Sequence, residues 1–203
     1  LNQFGCTLIV LAEWKSSIYS GKELKLVTAN IRRNSPLCLD SKIHHNNLIN
    51  NILAKIEANH AGVDDAVMLD LNGFVAETNT TNIFMTKDGV VLTPFPKACL
   101  PGITRGLIID LCKRNNIPII EQDISVTQLY NADEVFTTGT MGELARVVEI
   151  DNRKIKNTGS YFDKLQLIFR KLTEIEGEKL PYDINLTGST DIELHGSYDL
   201  LNN

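Results

Sequence analysis

Long apolar runs are missing from this 203-residue chain. The longest near its start, CTLIVLA from Cys6 to Ala12, is far shorter than the roughly 20 residues a membrane-spanning helix needs, and it lacks the basic flank of a secretory signal. It reads instead as a buried strand. Aromatic residues make up only 6% of the chain and are not interleaved with Arg or Lys. With a net charge of −5 and no basic stripe, the chain carries no footprint for nucleic acid. Cysteine is scarce too. Cys6, Cys38, Cys99 and Cys112 form no CxxC pair and have no histidine at ligand spacing, which argues against structural zinc or any other metal and for a reducing compartment. An initiator Met is absent, so a chain opening Leu1-Asn2-Gln3 reads as a fragment or a processed product. The expected setting is intracellular, cytoplasmic or organellar after removal of a transit peptide.

What is present is the composition of a soluble globular protein, 43% apolar and 22% charged. KLVTAN (Lys25 to Asn30) alternates as a strand, and RRNSPLCLDS is a loop turning at Ser35-Pro36. A long helix follows, starting near Asp40 or Ser41, with Leu48, Ile49, Ile52, Leu53 and Ile56 on one face and Gly62 past its end. The period then changes to two. DAVMLD, FVAET, NIFMTK and VVLTP read as short strands punctuated by Asn72-Gly73 and Asp88-Gly89, both strong hairpin signals. A helix from Thr104 to about Asn116 leads to the strand IPIIEQDI, a short helix around VTQLYNA, the strands EVFTTGT and ELARVVEI, and an amphipathic helix YFDKLQLIFRKLTEI. From about Pro181 the chain is polar and is expected to be loosely ordered. The pattern predicts an α/β domain, bordering on α+β, over residues 1–180, with a tail over 181–203.

Three features can carry chemistry. Pro101-Gly102-Ile103-Thr104 opens a helix whose first N–H groups, lacking partners, can receive an anion, although an ordinary turn and cap fits the same residues. Thr137 to Glu143, TTGTMGE, is a hydroxyl-rich glycine turn able to do likewise. The third feature is a pair. Lys42, placed beside a predicted helix start, has its ammonium form disfavoured there, and Glu77, in a strand predicted to be buried, needs a cationic partner. Solvated positions for both remain open at this level, and His44 and His45 read as helix-surface residues.

Taken together, SKIHHNNLINNILAKIEANHAGVDDAVMLD, GFVAETNTTNIF, LTPFPKACLPGITR and ADEVFTTGTMGELARVVEID resemble the class IV, fold type IV pyridoxal-phosphate enzymes. That family includes branched-chain and D-amino-acid aminotransferases and aminodeoxychorismate lyases. The likeness runs in order from about Phe4 to Ile155. It implies the large cofactor-binding domain of that fold, with the small N-terminal domain of family members absent from the chain. It makes Lys42 the Schiff-base lysine and Glu77 the partner of the pyridine nitrogen. Leu100 packs near the ring, and Gly102, Ile103, Thr104 and Thr140 form the phosphate cup. Thr140 and Met141 lie where the substrate carboxylate is held. Asn47 stands where branched-chain members usually carry a Tyr, and Ala145-Arg146 replaces a familiar Thr-Pro.

The resemblance implies an aminotransferase that moves an amino group between a branched-chain or D-amino acid and a 2-oxo acid, acting as a homodimer with pyridoxal 5'-phosphate. Two alternatives remain: a lyase of the aminodeoxychorismate type, and a truncated, non-catalytic homologue.

Overall fold

The structure, a computed structural model, describes residues 8–11, 13, 16–19 and 21–176. Strand β1 (Leu24–Arg32) turns Leu24, Leu26 and Ala29 inward and lies parallel to β2 (Asp65–Leu69) on one side and to β8 (Glu143–Ile150) on the other. All five residues of β2 are buried, as expected for a strand covered on both faces. Strand β3 (Val75–Thr78) returns antiparallel to β2 through the Asn72-Gly73 turn, where Asp70 Oδ1 accepts the N–H groups of Asn72 and Phe74 and Gly73 takes φ of 85°. Strands β4 (Asn82–Lys87) and β5 (Val90–Thr93) form a second hairpin. Its turn residues Asp88 and Gly89 both have positive φ, 49° and 79°, the twist a two-residue hairpin favours.

The full order is β3-β2-β1-β8-β7-β4-β5-β6, where β6 is Ile119–Glu121 and β7 is Glu134–Gly139, and β9 (Arg153–Lys154) pairs with β8. This mixed sheet is strongly curled. Edge strand β3 is joined to β4 by a three-residue turn closed by Thr78 N–H to the Thr81 carbonyl, yet β4 stands at the sixth place in the order. The curl brings Leu26, Val67, Ile83, Met85, Val135 and Val147 together on its inner face, where α3 (Val126–Tyr130) adds Leu129. A Ser125/Gln128 capping box starts α3, readable in the sequence as S-x-x-Q.

On the outer face α2 (Ile103–Arg114) and α4 (Tyr161–Ile175) pack over Phe84, Val91 and Phe136. The Phe84 and Phe136 rings stack with centroids 5.2 Å apart, an arrangement worth about 0.5–1.5 kcal/mol beyond area burial. Glu134, fully buried, accepts the N–H groups of Tyr161 and Phe162 and so fixes where α4 begins.

Helix α1 (Ile49–His60) differs from its sequence reading in two ways. It starts at Ile49, not near Asp40 or Ser41. The Asp40 carboxylate turns back to accept the Lys42 N–H, and His44 to Asn47 are weak helix formers. His44 and His45 therefore lie in an irregular segment, not on a helix. Its buried face is also the small one: Asn50, Ala54 and Ala58 meet Ala29, Ala66 and Met68 of the sheet. Close approach through alanines leaves Ile49, Ile52, Leu53 and Ile56 turned outward, each 41–57% exposed.

Leu8 to Leu11, predicted as part of a buried strand, are irregular and 75–85% exposed, for no described strand pairs with them. The predicted strand IPIIEQDI shortens to Ile119–Glu121, and Arg32, assigned to a loop, extends β1. Cys6 and the polar tail from Pro181 lie outside the described residues.

Candidate functional site

Glu77, third in β3, is 6% exposed. Three groups meet its carboxylate. Arg33, just past β1 and equally buried, brings Nη2 within 2.9 Å of Oε1. Asn82 Nδ2 donates to Oε2 across 3.5 Å, and the Leu100 backbone N–H donates as well. Burial pushes this carboxyl up to about 7 against the pull of Arg33 and the Leu100 N–H. The cation that the buried carboxylate requires is thus Arg33, a residue the sequence reading does not name.

The start of α2 adjoins this carboxylate. Asn82 Nδ2 also donates to the Leu100 carbonyl at 2.9 Å, so one amide ties Glu77 to the chain two residues before Gly102. Gly102 is the N-cap, with φ −62° and ψ 145°, and among the described residues no side chain caps the helix. Its N–H groups are therefore the open donors of a helix start, and Ile103 stands 78% exposed there while Thr104 is buried. Glycine is required here by space and not by φ: a Cβ would overlap Asn82 Oδ1. In the β4–β7 register Asn82 sits opposite Thr138, whose Oγ1, like that of Thr137, is buried without a hydrogen-bond partner among the described residues. Uncapped amides with an unpartnered hydroxyl nearby form a donor set for an anion.

Thr140 and Met141 are exposed in the turn joining β7 to β8. The segment before β1 straps this turn. Ile18 N–H donates to the Met141 carbonyl at 3.2 Å, and the Tyr19 ring lies against Gly142 so closely that a Cβ there would come within 2.6 Å of it. Tyr19 is anchored by its hydroxyl, which donates to the buried Asp65 carboxylate at 2.5 Å. Burial, reinforced by Asp65, raises that hydroxyl far above the ordinary tyrosine range.

Lys42 lies outside this network. It is exposed, with Nζ 3.8 Å from Asp40 Oδ2, and Asn47 is exposed as well. The helix start that was to act on Lys42 begins seven residues later, at Ile49. Beside Lys42, Ser41 Oγ and His45 Nδ1 are buried without partners among the described residues. The structure therefore joins Glu77, Leu100 and Gly102 through Asn82, with Thr140 and Met141 on a neighbouring strapped turn. Lys42 and Asn47 stand apart.

Sequence reading missed Arg33, Asn82 and Tyr19. The one available signal was the rule that a buried Glu needs a cation, which the Arg32-Arg33 pair after an apolar strand can supply. Among the described residues no His, Cys, Asp and Glu side chains cluster as metal ligands do, and no helix is long and apolar enough to cross a membrane.

A family model described as amino-transferase class IV matches residues 6–150. The chain is 56% identical over 183 residues to branched-chain-amino-acid aminotransferase-like protein 2 of Arabidopsis thaliana, covering 89% of this chain and 33% of that protein. It is 38% identical over 166 residues to the branched-chain-amino-acid aminotransferase of Pseudomonas aeruginosa, covering 78% and 54%. Among solved structures, the Escherichia coli branched-chain amino acid aminotransferase aligns with a TM-score of 0.74 at 31% identity, over 78% of this chain and 55% of that one. An aminotransferase from Brucella abortus bound to the co-factor PLP aligns with a TM-score of 0.72 at 28% identity, over 75% and 55%. The chain thus spans between a third and about half of the length of these relatives.

Proposed function

The chain belongs to the class IV amino-transferase family, and from that premise we propose that it is the cofactor-binding part of a pyridoxal-phosphate-dependent aminotransferase. The reading rests on one observation above all, the buried Glu77 carboxylate tied through Asn82 to an uncapped helix start. A carboxylate and an anion-receiving helix end suit the two ends of pyridoxal phosphate, a ring nitrogen that takes a proton and a phosphate ester. When bound, that cofactor supplies a ring able to absorb the electrons left when an amino acid loses its Cα proton.

The chain's own residues then divide the work. Glu77 holds a proton at the ring nitrogen, and Leu100 packs against the ring. The Ile103 and Thr104 N–H groups, the Thr104 hydroxyl and Thr140 hold the phosphate, with Gly102 keeping the approach open. Asn47, exposed and apart from the Glu77 network, would donate toward the ring oxygen. Lys42, which the structure leaves exposed beside Asp40 and outside this network, would take its role from the family motif: it would supply the amine that retains the cofactor and would carry the proton to and from the substrate Cα. Met141 N–H, with Thr140, holds the substrate carboxylate. The amino donor is a branched-chain amino acid, or a D-amino acid if the pocket has the opposite hand, and the acceptor is a 2-oxo acid.

Borohydride reduction of cofactor-loaded protein tests the assignment directly, and we expect label on the peptide carrying Lys42 and none in Lys42→Ala. Label on any other lysine overturns it. Assays with L-leucine, D-alanine and 2-oxoglutarate then decide the hand of the substrate. A homodimer is part of the same proposal, and the outward apolar stripe of α1 supports it as a surface for a second copy.

A further inference from the structure

Every nitrogen of the Arg33 guanidinium is engaged. Nε donates to the Ala98 carbonyl at 3.1 Å, Nη1 to Asn50 Oδ1 at 2.9 Å and Asn51 Oδ1 at 2.8 Å, and Nη2 meets Glu77 Oε1 at 2.9 Å. One side chain thereby links the end of β1, the first turn of α1, the loop leading into α2 and the Glu77 carboxylate. Among the described residues it is the cation in contact with Glu77. The other neighbours of that carboxylate are neutral: Asn82 from β4, the Leu100 N–H, and Cys99, whose thiol burial raises to about 12.

We propose that Arg33 is a positioning residue for Glu77, favouring its ionised form against the effect of burial and fixing which oxygen faces Arg33 and which remains for Asn82 and the cofactor nitrogen. The inference rests on the role given to Glu77 above and extends it to a residue that touches neither substrate nor cofactor. Two physical points carry it. A carboxylate this deeply buried stays charged only beside a paired, hydrogen-bonded cation. Arginine's planar fork spans acceptors on three elements while presenting one nitrogen to the carboxylate, and a lysine ammonium cannot span them.

The test uses the full chain without cofactor. Glu77 is followed by the ¹³Cδ signal of labelled glutamate, assigned by its loss in Glu77→Gln. In Arg33→Met the titration midpoint of Glu77 should rise by about one unit or more. In Arg33→Lys it should stay nearer the parent value, because the charge remains. Should Arg33→Met fail to fold, the double variant Arg33→Met/Glu77→Gln provides the second reading. It should fold with a Tm well above that of the single variant, since removing both charges leaves neither one stranded. An unmoved Glu77 midpoint in Arg33→Met, or a double variant as damaged as the single one, overturns the proposal. Both readings come from unloaded protein, so failure to trap cofactor on Lys42 counts against the proposed function alone. With cofactor bound, Arg33→Lys should also shift the pH dependence of the visible absorbance while leaving phosphate retention within about twofold.

Discussion

Two regions of the proposed site are built to different standards. Around Glu77 every group answers another within the chain: Arg33 and Asn82 hold the carboxylate, Asn82 holds the Leu100 carbonyl, and Arg33 binds Ala98, Asn50 and Asn51. Around Lys42 almost nothing does. Among the described residues, Leu37, Ile43 and Leu48 are 97%, 62% and 47% exposed, Ser41 Oγ and His45 Nδ1 have no partner, and Lys42 meets Asp40 at 3.8 Å. The difference separates what this stretch of chain specifies by packing from what it specifies only by sequence. The geometry of Glu77 is over-determined, and that of Lys42 is not set by its neighbours.

The largest effects should accordingly fall on the Glu77 side. Phe84, in the strand carrying Asn82, is fully buried and stacks on Phe136 of β7, and Phe84→Ala removes that ring. It should cost about 3–5 kcal/mol in urea unfolding. Gly102→Ala should follow at roughly 1–3 kcal/mol, because its Cβ displaces Asn82 Oδ1 and disturbs the ties to Glu77 and Leu100 together. Ile103→Ala, at a 78% exposed position one residue on, should change stability by less than about 0.5 kcal/mol. Equal losses at Gly102 and Ile103 would mean that the helix start is not packed against Asn82.

A pH profile sharpens the same contrast. Burial raises the folded-state pKa of Glu77 from 4.5 to about 7. The native protein therefore binds more protons than the unfolded chain between those values, and stability falls as pH rises across that window. What this group contributes is present in full below about 4.5 and lost as pH climbs through 7. Glu77→Gln should flatten the decline, and Lys42→Ala should leave its shape as it is. A parent protein whose stability rises between pH 5 and 7, with Glu77→Gln unchanged from it, would show that Glu77 is not the buried acid.

The same division governs how much could be read from the sequence. Asn72-Gly73 and Asp88-Gly89 gave their hairpins because the turn chemistry is local, and DAVML was legible as a strand, although its burial on both faces was not. Glu77 was recognisable as a buried acid needing a cation, but Arg33 was not recognisable as that cation. The pairing depends on the strand order that sets β1 and β3 on either side of β2, which no local pattern encodes. Helix α1 misled in a more instructive way. Periodicity located its apolar stripe, yet the sheet receives Ala54 and Ala58, since only small side chains allow the helix to approach Ala29 and Ala66. Hydrophobic spacing shows that a face needs cover and does not say what covers it. The Leu8 to Leu11 segment teaches the same lesson.

The smallest expected change in stability concerns that uncovered face. Ile52 and Leu53 are 50% and 41% exposed on α1, away from the sheet. Replacing both with Gln removes little burial that folding of this chain depends on, and Gln is a good helix former, so unfolding free energy should move by less than about 0.5 kcal/mol per site. If a second copy covers the stripe, the same pair of changes should strip apolar area from the interface and shift light-scattering mass from dimer toward monomer at micromolar concentration. Stability and assembly are thus predicted to separate at these two residues. A double variant that unfolds as a buried-core substitution does would show that the stripe is already packed within the chain. One that keeps both its stability and its dimer would place the interface on another face.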